Sequence, residues 1–290
     1  MPVSTLRLAS ALATVAIVGA GLMLVTTRAP RPRAVAAPRV SQEQALRQRL
    51  YDALQPVRIA NCTLERFGEA HDGGYLMCAN LLAPAAAYSY GISGYDGWGC
   101  RVSTKFGIPV HQYDCFDPRR PACAGGDLRF HQECIADEAS LDSAGRPFDT
   151  LPAQVGRNGD AGKRLVMKMD VEGAEWASLL ATPIDVLAQI DQLTIELHLD
   201  GPDLWTQWLT VSRLKDVFHV AHYHVNNYGC RGDMAPFSSW AVEVLLVNKR
   251  LAVLGAGGPP MPRPHPLDAP NDPTRPDCQF APGTEPAGTR

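Results

Sequence analysis

The chain has 290 residues, with 27 Lys and Arg against 30 Asp and Glu, and a formal net charge of −3 at pH 7. This length fits one α/β domain with extensions at its ends. Because the charge is mildly acidic and the body of the chain carries no strongly basic block, the composition argues against a nucleic-acid partner.

The first segment has the pattern of a membrane anchor. Residues 8–26 form an uncharged, mostly apolar run of about the length that crosses a bilayer. Arginines at 28, 31 and 33 crowd the place where a signal peptidase would cut, so we predict an uncleaved signal anchor over 1–27. The small residues at 34–37 keep a cleaved signal peptide as the alternative. A Pro-, Ala- and Arg-rich stalk is predicted over 28–45.

Two signals disagree on which side of the membrane the body lies. Basic residues are more numerous after the span than before it, which under the positive-inside rule favours the cytoplasm. Eight scattered cysteines, none in a C-x-x-C pair, favour disulfides in an oxidising lumen over a zinc site. Asn61-Cys62-Thr63 also fits the glycosylation acceptor pattern. We therefore predict a single-pass type II membrane glycoprotein of the Golgi or secretory pathway, with a cytosolic body as the alternative and the cysteine pairing open.

The body, over 46–254, has the pattern of an α/β domain. A helix is predicted from Ser41, because Gln44 stands three residues later as in a capping box. The segment 67–78 predicts a hairpin that turns at 72–74. Seven strand-like runs follow, and helix-like material separates most of them. These runs lie near 87–92, 108–114, 129–136, 164–170, 192–198, 218–225 and 240–247.

The last two runs are joined by a connection that has no room for a long helix. The pattern therefore predicts a seven-stranded, mostly parallel sheet with an antiparallel final hairpin at its edge. The tail, over 255–290, is rich in Pro and Gly and is predicted to run extended over the surface.

The first two strands end in residues typical of a nucleotide site. Gly91 and Gly94 follow the first strand, where glycines let the backbone pass close to a ligand, although ordinary turns share their G-x-x-G spacing. Asp114 and Asp117 end the second strand about 20 residues later, where an acid commonly holds the ribose of an adenosine-type ligand.

The end of the fourth strand, in LVMKMDVEGAEW at 165–176, is the most informative segment. Its apolar run ends in Asp170 and Glu172, and a glycine and a helix-like segment follow. Ligands of open α/β sheets lie outside the carboxyl ends of the strands, so two acids here predict a ligand, metal or proton-transfer role. The alternative is that one acid caps the following helix. Lys168, in the same run, is assigned no role.

The fifth strand adds Glu196 and His198, which share one face of that strand. The sixth strand adds His222 and His224, which likewise share one face. A histidine suits a general base near neutral pH, and a hydrogen-bonded buried ring is the alternative reading. We expect these side chains to join the fourth-strand acids in one polar cluster. The predicted catalytic residues are Asp170, Glu172, His198 and His224.

The same cluster offers ligands for magnesium or manganese through Asp170, Glu172, Glu196 or His198. This divalent metal is an alternative that the sequence does not favour, and no metal ligand is assigned.

Several segments together resemble a known family. DGGY at 72–75, YSYGISG at 88–94, the acidic end of the second strand and KMDVEGAEW at 168–176 resemble the methyltransferase-domain family related to the FkbM sugar methyltransferases. The chain is similar above all to the membrane-anchored methyltransferase-like protein 24 group, including its tail segment LDAPNDPTRPD at 267–277. The resemblance covers roughly residues 60–280. It implies a Rossmann-like class I methyltransferase fold that binds S-adenosyl-L-methionine.

The resemblance also implies roles by position. Gly91 and Gly94 would approach the methionine and ribose end of the donor, and Asp114 would hold the ribose hydroxyls, with Asp117 as the alternative. Asp137, at the end of the third strand, would lie near the adenine. Asp170 would face both the methyl donor and the acceptor. The glycine loop departs from the fuller E-x-G-x-G-x-G pattern, since it reads GISGYDG here.

The predicted function is methylation of a hydroxyl group on a glycan or a small molecule. Two alternatives stay open. A nucleotide-sugar glycosyltransferase would suit the type II anchor, but its usual D-x-D motif is missing. A non-catalytic scaffold would keep the fold without turnover.

Overall fold

The computed structural model describes residues 41–256 and 264–278. The predicted anchor, and the stalk as far as residue 40, lie outside these residues. Within the described residues, no helix is long and apolar enough to cross a membrane.

Six α-helices lie in the described part of the chain. The first begins as predicted, because the Ser41 hydroxyl accepts a hydrogen bond from the Gln44 amide and the Gln44 side chain accepts one from the Ser41 amide, both at 3.1 Å. The helices are α1 (Gln42–Ala53), α2 (Gly97–Phe106), α3 (Leu151–Arg157), α4 (Ala174–Ala181), α5 (Ile184–Leu187) and α6 (Leu204–Val217).

The predicted hairpin is confirmed. It consists of β1 (Leu64–Gly68) and β2 (Gly74–Cys78), which pair in antiparallel register on either side of the turn. Phe67 and Met77 of the hairpin are buried in one hydrophobic cluster with Trp98 of α2. The hairpin therefore packs with α2 on one face of the central sheet.

The central sheet has the predicted seven strands. Its strands, in chain order, are β3 (Ala86–Tyr90), β4 (Pro109–Tyr113), β5 (Asp127–His131), β9 (Leu165–Met169), β10 (Ile190–His198), β11 (Phe218–Val225) and β12 (Ala241–Asn248). Their order across the sheet is β11-β12-β10-β9-β3-β4-β5. All pairs from β10 to β5 are parallel, while β12 is antiparallel to both β10 and β11.

Two details differ from the prediction. The run at 129–136 forms two elements, because β5 ends at His131 and the polar residues Gln132 and Glu133 interrupt it. Its remainder, β6 (Cys134–Ile135), joins a small sheet with β7 (Ser140–Leu141) and β8 (Pro147–Asp149). The final antiparallel pair lies at the sheet edge as predicted, but β12 is inserted between β10 and β11, so β11 is the edge strand.

Both faces of the sheet are covered. Tyr88 and Met167 point into a core shared with α1, α3, α4 and α6, whereas Ala87 and Val166 point into the core formed with α2 and the hairpin. Parallel strands that are buried on both faces read as nearly continuous apolar runs, which explains why the pattern predicted them.

All eight cysteines are paired, which confirms the predicted disulfides. The pairs are Cys62–Cys78, Cys100–Cys123, Cys115–Cys134 and Cys230–Cys278. The Asn61 amide nitrogen donates to the Leu251 carbonyl at 2.9 Å, and glycosylation at this residue stays a prediction.

The described tail, 264–278, is more than a surface segment. Besides the disulfide at Cys278, Asn227 donates to the Asp272 carbonyl at 2.9 Å and accepts from its amide at 2.8 Å. Asn271 and Asp272 are buried as a result.

Candidate functional site

Parallel register brings three strand ends to one point. The last residues of β3, β4 and β9 lie side by side, so Gly91, Asp114 and Asp170 follow them together. The Gly91 amide donates to the Tyr113 carbonyl at 3.0 Å, and the Asp170 amide donates to the Tyr90 carbonyl at 3.2 Å. The strand order reverses between β3 and β9, and in open α/β sheets this switch point is where ligands bind.

A cavity of about 230 Å³ opens at this point. Gly91, Asp114 and Asp170 lie on its sheet side. Phe116 and Phe148 form an aromatic wall, with their rings edge to face at 6.4 Å between centroids. Phe116 is 66% exposed, so the cavity offers an apolar surface to a planar ligand.

Gly91 is fixed by packing as well as by conformation. Its φ is +69°, and a Cβ atom there would lie 1.6 Å from the Asp170 carbonyl oxygen. Gly94 also has a positive φ of +76°, but its neighbour is the Arg119 side chain, and it does not line the cavity. Of the two predicted glycines, only Gly91 therefore borders the cavity.

The Asp114 carboxylate is buried and accepts four backbone hydrogen bonds. One oxygen accepts from the amides of Ile92 and Ser93 at 3.2 and 2.8 Å, and the other accepts from those of Phe116 and Asp117 at 2.8 and 2.9 Å. These bonds use all the acceptor positions of the carboxylate. Asp114 thus holds the loop after β3 and the turn after β4, which are two walls of the cavity.

The other two predicted donor-binding acids lie away from the cavity lining. Asp117 pairs with Arg119, whose Nε lies 2.9 Å from each of its oxygens, and this contact lowers the pKa of Asp117 to about 2. Asp137 is exposed in a bend after β6. Its neighbours Cys134 and Ile135 line the cavity instead.

Asp170 joins the cavity to a polar cluster. Its Oδ2 lies 3.4 Å from the Tyr75 hydroxyl and 3.7 Å from the Lys168 ammonium. Lys168 is buried and donates to the Gly91 carbonyl at 2.6 Å. Sequence reasoning assigned Lys168 no role, although residues two apart on a strand share a face, which places it beside Asp170.

His198 stands between several carboxylates. Its Nδ1 lies 3.2 Å from Oε1 of Glu175, a buried residue that also accepts from the His198 amide at 2.8 Å. Its Nε2 faces Glu172 at 3.3 Å and Asp170 at 4.0 Å. Burial alone would lower the pKa of His198, but the bond with Glu175 and the charges of Asp170 and Glu172 outweigh it and raise that pKa. Glu172 itself is 82% exposed, with a left-handed φ of +53°.

Glu196 lies deeper in the cluster, 3.8 Å from the Nε2 of His198. Asn226 donates to it at 3.0 Å. Burial, followed by the charges of Asp170 and Glu243, raises the pKa of Glu196 well above its usual value. The carboxylate therefore lies in a strongly negative part of the molecule.

Beyond Glu196, the cluster is completed by Glu243, Asp72 and the tail. The Asn271 amide nitrogen donates to Glu243 at 2.7 Å and to Asp72 at 3.0 Å. The Nδ1 of His224 lies 3.4 Å from Glu243.

Of the predicted catalytic residues, the structure thus brings Asp170, Glu172 and His198 together, while His224 contacts Glu243 on the far side of Glu196. His222 pairs with Asp268 of the tail at 2.9 Å.

Sequence reasoning missed several members of this cluster. Glu243 had a signal, because it is a charge inside the apolar run of β12. Glu175 follows the predicted strand end by five residues, on the helix side of the turn. Asn271 carries no local signal, since only the tertiary fold brings the tail here.

Among the described residues, two sets of three side chains have ligand atoms within 4.8 Å of one another. They are Asp170, Glu196 and His198, and Asp72, Glu196 and Glu243. Carboxylate oxygens suit hard divalent cations, and an imidazole extends the choice to transition metals.

Comparison with family models, curated proteins and solved structures finds no match to this chain.

Proposed function

We propose that the chain is an S-adenosyl-L-methionine-dependent methyltransferase that acts on a hydroxyl group of a glycan or small molecule. The observation that carries the proposal is the cavity at the strand-order switch point, bordered by Gly91, Asp114 and Asp170 and walled by aromatic rings. The seven-stranded, mostly parallel sheet with its antiparallel final strands is also compatible with the class I methyltransferase fold that the sequence resemblance implies.

In this proposal, the adenine lies against Phe116 and Phe148, and the ribose lies beside the loop that Asp114 holds. The sulfonium and its methyl group face Asp170, which borders both the cavity and the polar cluster. Methyl transfer is an in-line displacement, so it needs alignment of donor and acceptor and a base for the acceptor hydroxyl.

Asp170 is the preferred base. Its side chain is 28% exposed and borders both the cavity and the cluster. His198, held by Glu175, lies next to it, with its Nε2 at 4.0 Å from the Asp170 carboxylate. In this proposal, Glu172 contacts the acceptor from the exposed side of the cluster, and His224 contacts it from the side of Glu243.

The proposed location is the lumen of the secretory pathway, with attachment through the N-terminal anchor. Four disulfides in one domain support this choice, because such bonds persist in oxidising compartments.

The test is isothermal titration of the full-length, disulfide-intact protein with S-adenosylhomocysteine and then with a set of nucleotide sugars. We expect S-adenosylhomocysteine alone to bind. Phe116→Ala should weaken this binding, whereas Trp205→Ala, which removes another exposed aromatic ring that does not line the cavity, should not. Binding of a nucleotide sugar instead would favour a glycosyltransferase, and binding of neither ligand to the folded protein would favour a scaffold.

A further inference from the structure

We propose that the chain holds a hard divalent cation, of the Mg²⁺, Mn²⁺ or Ca²⁺ class, on the carboxylates of Asp72, Glu196 and Glu243. The side-chain oxygen of Asn271, from the tail, supplies a fourth ligand. These four residues form the tail-side cluster.

The three carboxylates come from three separate parts of the fold. Asp72 lies in the β1–β2 turn, Glu196 in β10 and Glu243 in β12, and their oxygens lie within 4.8 Å of one another. Glu196 and Glu243 are direct partners across the antiparallel pair. Like charges that face each other across strands are destabilising, so a cation between them would remove a cost that the bare arrangement carries.

The depth of the tail-side cluster suits a bound ion. Glu196 and Glu243 are only 4% and 7% exposed, whereas Asp72 is exposed at the turn. The cluster is thus closed at its base and open at one side, which leaves positions for water or a ligand hydroxyl on the cation.

Asn271 gives independent evidence for a missing ligand. Its side chain is 2% exposed and reaches into the cluster, where the nitrogen contacts Asp72 and Glu243. Its oxygen is buried and accepts no hydrogen bond from the described residues. A buried carbonyl oxygen without a partner is costly. Without a cation, the nitrogen and not this oxygen faces the carboxylates. The two ends of a carboxamide are nearly equal in shape, so a half-turn of the side chain would exchange them and aim the oxygen at the cation.

The neighbouring set of Asp170, Glu196 and His198 is less suited to the ion. Asp170 already has the Lys168 ammonium at 3.7 Å, and the His198 imidazole lies among its carboxylates. By contrast, no Lys or Arg of the described residues lies within 4.0 Å of the carboxylates in the tail-side cluster. The cationic neighbours of the tail-side carboxylates are instead imidazoles, with His198 at 3.8 Å from Glu196 and His224 at 3.4 Å from Glu243, so these carboxylates lack the ammonium that Asp170 has.

Placed here, the cation would bind a hydroxyl pair of the acceptor beside Asp170, and this consequence alone rests on the proposed methyltransferase function. It names the acceptor class as a compound with adjacent hydroxyls, such as a sugar diol. The cation site itself needs no donor, so the two proposals are tested separately.

The experiment is a titration of the full-length, disulfide-intact protein with Mn²⁺ in the absence of donor. The electron paramagnetic resonance signal of free Mn²⁺ measures how much of the ion stays unbound. We expect a specific site that Ca²⁺ or Mg²⁺ competes for. Glu243→Gln and Asp72→Asn should each weaken Mn²⁺ binding by about 100-fold, and Asn271→Leu by about tenfold. Glu172→Gln is the matched control, since it removes a nearby carboxylate that is not a ligand.

Thermal unfolding of each variant establishes that it folds, and Asp72, on an exposed turn, is the substitution that the fold tolerates best. A folded wild-type protein that binds neither Mn²⁺ nor Ca²⁺ would overturn the proposal. Loss of binding in His198→Gln, with binding kept in Glu243→Gln, would also overturn it by moving the ion to the other set. A parallel titration with S-adenosylhomocysteine shows whether the donor binds, so a failure of the methyltransferase proposal can be told apart from a failure of the cation-site proposal.

Discussion

Asp170 is the residue at which the cavity and the polar cluster meet. If it accepts the proton of the acceptor hydroxyl, Asp170→Asn should lower the rate of transfer by about 10²- to 10⁴-fold, the usual contribution of a general base. Affinity for S-adenosylhomocysteine should change little, because the variant keeps the size of the side chain. The measurement is transfer of a labelled methyl group to a panel of glycans. Wild-type turnover in the variant would remove Asp170 from the site.

Asp114 and Asp117 are close in sequence but differ in what they hold. Asp114→Ala leaves four backbone amides without their acceptor and should lower the free energy of unfolding by about 3 kcal/mol. It should also weaken binding of S-adenosylhomocysteine more than Asp117→Ala does, since the Asp117 carboxylate pairs with Arg119 and does not line the cavity. Urea unfolding and isothermal titration give the two quantities. The reverse order of affinities would assign the ribose to Asp117.

The strands were predictable from the sequence because both faces of the sheet are buried. Runs such as 164–170 and 218–225 contain mostly apolar residues and end where polar residues begin, and the structure places β9 and β11 there. The meeting of Asp170, which follows β9, with Glu196, near the end of β10, could be predicted because the ends of parallel strands lie at one edge of the sheet. The position of β12 between β10 and β11 did not follow, because a hairpin has the same local pattern wherever it pairs.

At the level of the strands, β4 and β5 bring the buried His111 beside the half-buried His131, and His111 should make stability depend on pH. The Nδ1 of His111 lies 3.1 Å from His131, its ring stacks on Tyr88, and its Nε2 lies 3.3 Å from Asp160. Burial lowers the pKa of His111 to about 4, although Asp160 and Asp127 act to raise it; His131 and Arg129 lower it further.

The direction of the pH dependence follows from the difference between the pKa of His111 in the folded chain and in the unfolded chain. An unfolded histidine takes up a proton near pH 6.5, whereas folded His111 stays neutral until about pH 4. Stability should therefore be full above pH 6.5 and should fall as the pH decreases from 6.5 towards 4. His111→Phe keeps the stacked ring without a titrating group, so it should lose less stability across this window. Urea unfolding at several pH values tests this, and parallel curves for wild type and variant would refute it.

Over the whole molecule, the tail is the part that the sequence describes least well. Its Pro-rich composition predicts an extended segment, and it carries no periodicity from which burial could be read. Contacts with distant parts of the chain hold the tail in place, among them a disulfide to Cys230 and hydrogen bonds with Asn227. The pairing of eight cysteines is equally non-local, since 105 arrangements fit the same spacing. Asp72 and Asn271, which are 199 positions apart, meet through such long-range contacts and not through any local pattern.

This arrangement predicts that one disulfide matters to the cation site and another does not. The Cys230–Cys278 bond closes a separation of 48 residues and the Cys100–Cys123 bond one of 23, so chain entropy gives about 4 and about 3 kcal/mol of stabilisation. Replacing either pair by serines should lower the free energy of unfolding by about these amounts. Only the first change releases the tail that carries Asn271, so only Cys230→Ser/Cys278→Ser should weaken Mn²⁺ binding.

Cys100→Ser/Cys123→Ser is the matched control, because it removes a disulfide between α2 and the β4–β5 connection, whose residues contribute no ligand. Urea unfolding gives the stability of both double variants, and the Mn²⁺ titration gives their affinities under conditions where each is folded. Equal weakening in both would mean that Mn²⁺ binding follows overall stability. Unchanged affinity in both would mean that noncovalent contacts, such as those of Asn227 and the His222–Asp268 pair, hold the tail in place without help from the disulfide.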